Sequence, residues 1–279
     1  MKIMVTGATG QLGKLVIQHL LKKVTADQII AIARNFEKAA DLAALGIEIR
    51  QADYNAPEFL QEAFRFGTKL LFISSSDTDD TRRVVQHANV VKAACDQNMQ
   101  HIAYTSFAFA EDNPFARVHL ATEHAIHTTR IPYTFLRNGG YMEFFINSSL
   151  KSNIKNGTII TNTNNRKVNS VSRSDLALAA AAVLTEDGHE NKTYNLVSND
   201  PWSFDDLAAT LSEVSGKNFI HQTVSYDEVK SLLVGAGAEM TAYIYQTIAE
   251  GKMERATDDL QRLIGNQTPM KELVVKALQ

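Results

Sequence analysis

A chain of 279 residues with 44% apolar side chains and a formal net charge of −3 can bury one large core, or a core plus a lobe, and is too apolar for a disordered class. No apolar run approaches the roughly 20 residues of a membrane span, and the slight acidity leaves no basic footprint for nucleic acid. The single cysteine, Cys95, excludes an internal disulfide framework and a cysteine-based zinc cluster. It lies in the apolar helical stretch VVKAAC and is expected to be buried packing. The N-terminus reads as a strand without a basic leader region, so a cytoplasmic, metal-free protein is expected.

The chain opens MKIMVTGATGQLGK. A short apolar strand, Lys2–Thr6, runs into Gly7, Gly10 and Gly13, and a helical pattern over Gln11–Lys22 follows, with Leu12, Leu15, Val16, Leu20 and Leu21 on its apolar side. Glycine allows positive φ and lets a backbone approach a pyrophosphate without a Cβ clash, while the first free N–H groups of the helix and its dipole face the anion. The spacing is GxxGxxG rather than GxGxxG, and its weight comes from its position in a first βαβ unit.

Further strands are predicted at Gln28–Ala33, Glu48–Gln51, Lys69–Ile73, His101–Thr105 and Thr134–Arg137. Helices fall between them at Phe36–Ala44, Pro57–Phe66, Asp80–Gln97 and Phe115–His127. Runs such as IIAIA and LLFI suit a parallel sheet covered on both faces. Leu150–Lys167 is polar and Asn-rich, with strand-like Thr158–Ile160, and reads as a loop or hairpin insertion. Ser174–Thr185 is an Ala-rich helix, Thr193–Val197 a strand and Ser203–Ser215 an amphipathic helix; the remainder reads as helical apart from the Gly-broken LLVGAGAEM. The predicted class is α/β: a doubly wound parallel-sheet Rossmann fold with a smaller, mostly helical C-terminal lobe. The dinucleotide domain is assigned to residues 1–140, with 168–198 returning to it, and the lobe to 141–167 and 199–279.

Nucleotide choice is legible at the end of the second strand. An NAD-selective protein usually places Asp or Glu there for the ribose 2′-hydroxyl; here IIAIA ends in Arg34, whose guanidinium can pair with a 2′-phosphate. Lys38 adds a second cation four residues on, so the cofactor expected is NADP(H). Asp53 and Tyr54, ending the third strand, fall where such folds contact the adenine.

In combination, TGATGQLG, AIARN, RQADY, LLFISSS, HIAYTS, YTFLRNG and, further along, WSFDDLAATLSEVSGK resemble the NmrA-like atypical short-chain dehydrogenases/reductases. Within that group they are most similar to the bacterial NADPH-dependent quinone oxidoreductases of the type-2 kind. The resemblance runs in order through most of the chain. It implies a Rossmann domain, a small substrate lobe and NADPH in the cleft between them. It further implies that Gly7, Thr9, Gly10, Gln11 and Leu12 cradle the pyrophosphate and that Arg34 takes the 2′-phosphate. Ser74 and Ser75 would line the cofactor, and Asn138 and Gly139 would lie by the nicotinamide.

Most short-chain reductases donate a proton from a Tyr-x-x-x-Lys pair. The string occurs once, as Tyr226 and Lys230 in the lobe, far from the position after the fifth strand, and reads as helix-surface spacing. Ser106 ends YTS in the place of the family's serine, so Ser106, His124 and Tyr141 are the catalytic candidates. In the quinone reductases that the chain resembles, the following helix reads H-x-x-T-E-K; His119, Thr122 and Glu123 match, and His124 replaces the lysine. A ketone gives an alkoxide whose conjugate acid has a pKa of roughly 16 and needs a proton donor. A quinone gives a phenolate-like anion with a pKa of roughly 10 and needs little acid catalysis. His119, His124 and His127 have poor metal spacing and read as a surface or cleft-lining helix. Tyr141, Phe144 and Phe145 are candidate substrate-cleft aromatics, and Trp202 is expected to anchor the lobe.

The leading expectation is an NADPH-dependent oxidoreductase, monomeric or homodimeric, that passes hydride to a small electron acceptor such as a quinone. The alternative is a non-catalytic NADP(H) sensor of the NmrA type. A nucleotide-sugar epimerase stands lower, because that chemistry needs the Tyr/Lys pair.

Overall fold

The computed structural model describes residues 1–113, 116–148, 150, 157–233 and 237–279. They form two compact units, Met1–Asn138 with Arg173–Leu196, and Gly139–Ser172 with Val197–Gln279.

The first unit is a seven-stranded sheet. Its strands are β1 (Ile3–Val5), β2 (Ile29–Ala33), β3 (Glu48–Gln51), β4 (Lys69–Phe72), β5 (His101–Phe107), β6 (Tyr133–Asn138) and, numbered in chain order, β10 (Lys192–Leu196). They lie side by side as β10-β6-β5-β4-β1-β2-β3, every pair parallel. The order turns outward in both directions from β1 and β4, the switch point beside which such sheets bind ligands. Helices α1 (Gln11–Leu20), α2 (Ala40–Ala44), α3 (Pro57–Ala63), α4 (Asp80–Asp96), α5 (Arg117–Thr129) and α6 (Arg173–Thr185) connect the strands.

Coverage on both faces explains why β2 is buried along its whole length and β5 nearly so. Met4, Ile30, Ile32, Phe72, Tyr104 and Phe135 share a core with Leu60 of α3, Val90 and Ala94 of α4 and Ile126 of α5. The intervening strand residues point to the other face by the period-two rule, where α1 packs against α6. The small side chains of α6, Ala177 and Ala179–Ala182, are buried almost all round the helix, which permits that close approach.

Several boundaries differ from the sequence reading for local reasons. Phe36–Ala44 is a 3-10 turn at Glu37–Ala39 followed by the short α2, because Asn35 Oδ1 accepts from the amides of Glu37 at 2.7 Å and Lys38 at 3.3 Å and tightens the start. Cys95 is exposed, not buried. The buried stripe of α4 is His87, Val90, Val91 and Ala94, and Cys95 falls one step round the helix from it, on the solvent side. Phe115, where the fifth helix was expected to start, lies outside the described residues, as do 151–156 of the Asn-rich segment and 234–236 of LLVGAGAEM.

The second unit holds two small parallel pairs. Strands β7 (Gly140–Tyr141) and β9 (Ser170–Val171) form one; β8 (Thr158–Thr161) and β11 (Ile220–Thr223) form the other. The expected hairpin around Thr158–Ile160 is therefore corrected: β8 finds its partner some sixty residues on in sequence, at a strand read as helical because HQT offers no apolar alternation. Helices α7 (Phe204–Ser215), α8 (Tyr226–Leu232), α9 (Ala238–Ala249), α10 (Asp259–Ile264) and α11 (Met270–Leu278) complete it. Ser203 caps α7 through a reciprocal capping box with Asp206. Trp202, Phe204, Leu207, Leu211, Ile248 and Val274 form its core. Among the described residues, no helix is long and apolar enough to cross a membrane.

Candidate functional site

The turn between β1 and α1 is built from backbone. Gly7 has φ +59°, and its carbonyl accepts from the Gly10 amide at 2.9 Å. A Cβ on Gly13 would fall 2.4 Å from Gly7 O and 2.8 Å from Ala8 Cα, and one on Gly10 would fall 3.2 Å from Gly7 O. Side chains at these positions would therefore fill or deform the turn. No side chain caps α1. Its leading amides stand free at the positive end of the helix, which suits an oxyanion. Gly7, Gly10 and Gln11 are exposed, Thr9 is half-buried and Leu12 is buried, so Leu12 can contribute through its amide alone.

Arg34 is exposed immediately after β2, and Lys38 is exposed on the following 3-10 turn. Gln51 Nε2 donates to Arg34 O at 3.0 Å and ties this segment to the end of β3. Asp53 Oδ1 accepts from the amide of Asn55 at 2.8 Å and folds the chain after β3. Tyr54 follows Asp53 and is half-buried. Its hydroxyl donates to Ile73 O at 2.7 Å and lies 2.6 Å from Thr6 Oγ1, and its ring meets Phe72 edge-on. Burial pushes the Tyr54 phenol well above its ordinary range, as befits a brace beneath the strand ends.

The segment after β4 is pinned. The Ser74 amide donates to Thr105 Oγ1 and the Ser75 amide to His87 Nε2, both at 2.9 Å. The Ser75 hydroxyl donates to Gln86 Oε1, and Gln86 Nε2 donates to Asn55 Oδ1 at 3.1 Å.

Helix α5 carries three buried polar side chains, each tied to a different neighbour. Glu123 accepts from the Ser106 hydroxyl at 2.5 Å and from Arg137 through Nε at 3.0 Å and Nη2 at 2.7 Å. Arg137 reaches on to Glu111 at 2.7 Å. The proton of Ser106 is thus committed to a carboxylate, and the residue itself is buried. Thr122 meets His87 Nδ1 at 2.7 Å, and His119 Nδ1 lies 3.0 Å from the Tyr104 hydroxyl. The other nitrogen of His119 is 3.3 Å from Arg83 Nη2. Burial and the nearby Arg83 guanidinium hold His119 down to about 4, and burial pushes the Tyr104 phenol up. His119 is therefore a core residue and not part of a surface helix face, whereas His124 and His127 are exposed. No group of three or more His, Cys, Asp or Glu among the described residues is placed to hold a metal ion.

In the second unit, Phe144 is exposed and meets Phe145 edge-on at 5.1 Å, while Phe145 packs on Trp202 at 5.5 Å and Phe204 at 5.8 Å. Tyr141 is half-buried on β7. Trp202 Nε1 donates to Ser170 Oγ at 2.9 Å, anchoring the unit's core. Asn138 ends β6 in the first unit, with its carbonyl accepting from the Ala108 amide at 2.9 Å; Gly139 begins the second. Sequence reasoning missed Arg83, His87, Tyr104 and Arg137. For His87 the signal was its place on the apolar stripe of α4, where a polar ring must find partners.

The sequence profile of the NmrA-like family matches residues 1–268. Quinone oxidoreductase 2 of Escherichia coli (strain K12) is 40% identical over 273 residues, 95% of this chain and 94% of its own length. The crystal structure of Citrobacter sp. triphenylmethane reductase complexed with NADP(H) superposes with a TM-score of 0.95 at 60% identity, covering 99% of this chain and 100% of that one. That of the E. coli NADPH-dependent quinone oxidoreductase complexed with NADPH gives 0.90 at 39% identity, covering 99% and 100%.

Proposed function

Because the chain belongs to the NmrA-like family, we propose that it is an NADPH-dependent oxidoreductase that reduces quinones, triphenylmethane dyes or similar planar conjugated electrophiles. The observation that carries this reading is the uncapped N-terminus of α1 behind a turn that admits no Cβ at Gly13, with Arg34 exposed at the end of β2. Gly7, Thr9, Gly10, Gln11 and Leu12 would hold the pyrophosphate, Arg34 and Lys38 the 2′-phosphate, Asp53, Ser74 and Ser75 the nucleoside side, and Asn138 and Gly139 the nicotinamide. When bound, NADPH supplies a hydride.

The protein's own groups decide which acceptors are served. The Ser106 hydroxyl donates to Glu123, and the Tyr104 phenol is buried with its pKa raised. Neither is set up to release a proton to a substrate. An acceptor whose reduced form is a weak base suits such a site. A reduced quinone is a phenolate-like anion, with a pKa of about 10, that water can protonate, and a triphenylmethane cation becomes neutral on gaining a hydride. Phe144 and Phe145, with Tyr141, are the aromatic side chains we assign to stacking such planar molecules. The likeness to enzymes at 60% and 40% identity favours turnover over a purely sensing role.

Stopped-flow oxidation of NADPH against a panel of benzoquinones and cationic triphenylmethane dyes tests the proposal. Turnover with at least one acceptor, and with NADPH preferred to NADH, is the expected result; no turnover with any of them overturns it.

A further inference from the structure

Three successive backbone amides following β4 donate to side chains from three separate parts of the chain. Ile73 N–H goes to Thr6 Oγ1 at 3.0 Å, Ser74 N–H to Thr105 Oγ1 at 2.9 Å and Ser75 N–H to His87 Nε2 at 2.9 Å. The third link has a fixed proton order. A backbone N–H can only donate, so His87 Nε2 is an acceptor and the proton of the neutral ring sits on Nδ1. Nδ1 lies 2.7 Å from Thr122 Oγ1, and Thr122 Oγ1 lies 2.7 Å from the Val118 carbonyl, which can only accept. Thr122 therefore donates to Val118 and accepts from His87. With an obligate donor at one end and an obligate acceptor at the other, no tautomer or hydroxyl rotation reverses the line without orphaning a buried group. A protonated ring would set a second N–H against the Ser75 amide; burial, then His119 and Arg83 nearby, hold His87 down to about 3.

We infer that His87, locked as the Nδ1–H tautomer by Thr122, is a positioning residue that keeps the Ser75 amide turned inward, as Thr105 keeps that of Ser74, so that this segment meets the hydroxyl or amino groups of the bound nucleotide with oxygen acceptors and not with amide donors. The inference rests on the NADPH reading above and deepens it. Phosphate recognition is left to the turn before α1, where no side chain caps the helix. The two loops divide the nucleotide by polarity, donors for the phosphates and acceptors for the sugar or base. Thr122 thereby gains a role on the helix that carries the Tyr/Lys pair in other short-chain reductases, without touching substrate or cofactor itself.

The test is Thr122→Val, a near-isosteric change that takes away the 2.7 Å acceptor of His87 Nδ1–H and leaves it only the Tyr104 hydroxyl at 3.5 Å, beside Thr122→Ser, which keeps the hydroxyl. With a quinone that supports turnover, T122V is expected to raise the KM and Kd for NADPH about tenfold, the effect of one unmade buried hydrogen bond, and to change kcat far less; T122S restores wild-type binding. Side-chain ¹⁵N NMR of the wild type should show His87 protonated on Nδ1 at pH 7. A wild-type ring protonated on Nε2 overturns the inference, and so does a folded T122V with unchanged NADPH affinity or a loss confined to kcat. If T122V does not fold, the wild-type ring shifts decide. Wild-type protein that fails to bind NADPH would refute the functional reading instead, with the tautomer still judging the lock.

Discussion

Replacing Glu123 by alanine removes the hub of a buried ion network, and its cost can be worked from the geometry. The Glu123 side chain is 6% exposed and that of Arg137 11%, and two charge-assisted bonds of 3.0 and 2.7 Å join them, with the Ser106 hydroxyl as a third ligand. Breaking a buried pair from one side strands the other charge at a cost of about 3–5 kcal/mol. Arg137 keeps Glu111, whose side chain is 60% exposed and which restores about 1 kcal/mol or less. The expected loss is therefore about 2–4 kcal/mol, which in a chain of this size lowers Tm by roughly 5–15 °C. Urea unfolding at constant pH measures it. A double replacement, Glu123→Leu with Arg137→Met, should recover most of the loss, because a well-packed apolar pair avoids the desolvation of both charges. A Glu123→Ala loss below about 0.5 kcal/mol, or a double variant no more stable than the single, would refute the reasoning.

Other outcomes follow from features of the same unit and its neighbour. Gly13→Ala puts a methyl 2.4 Å from Gly7 O and 2.8 Å from Ala8 Cα, both backbone atoms that can yield only by opening the turn; fluorescence titration should show NADPH affinity reduced by about 10- to 100-fold. Arg34→Ala should weaken NADPH by a similar factor, the worth of one or two charge-assisted bonds, and leave NADH within about threefold; equal losses for both would exclude Arg34 from the 2′-phosphate. Phe144→Ala should raise the KM for a quinone about two- to tenfold, and an unchanged value would remove Phe144 from the acceptor site. Finally, His87 is held down to about 3 and His101 and His119 to about 4, chiefly by burial. Their folded values lie below the unfolded 6.5, so stability is full above that pH and is lost as pH falls through the window from 6.5 to about 4 for His101 and His119 and to about 3 for His87. Each contributes a slope approaching about 1.4 kcal/mol per pH unit, and a urea midpoint that is the same at pH 8 and pH 5 would contradict this.

The sheet was readable because its strands are short apolar runs closed by Gly, Asp, Ser or Asn at their ends. The signal holds even where a boundary moves by one or two residues, as at Ile29 or Phe107. The turn at Gly7, Gly10 and Gly13 was readable for a different reason, since glycine at fixed spacing records a steric demand directly. What periodicity could not show were partnerships between distant polar residues. Nothing in LRNG announces that Arg137 reaches Glu123, and VVQHANVV does not say that His87 faces the Ser75 amide. Such pairs depend on strand register, here Ser106 opposite Arg137, and register is set by tertiary packing. Cys95 failed in a related way. Its neighbours are apolar, but one residue of helical rotation decides between core and solvent.

The chain passes from the first compact unit to the second at Gly139, returns at Arg173 and leaves again at Val197. During synthesis, then, 138 residues emerge with the sheet incomplete: β6 still lacks its neighbour β10, and the face of α1 awaits α6, which reaches it at His19 and Ser174 across 155 residues of sequence. A truncation at Asn138 would leave β6 as an open edge and the apolar side of α1 uncovered, a species prone to aggregate. The nascent protein can close its nucleotide-binding unit only after Leu196 has left the ribosome, by which time the Gly139–Ser172 part of the other unit has already been made. Ribosome-bound chains stalled shortly after residue 138 should therefore be protease-sensitive, and those stalled well past 196 protected through β1 to β6.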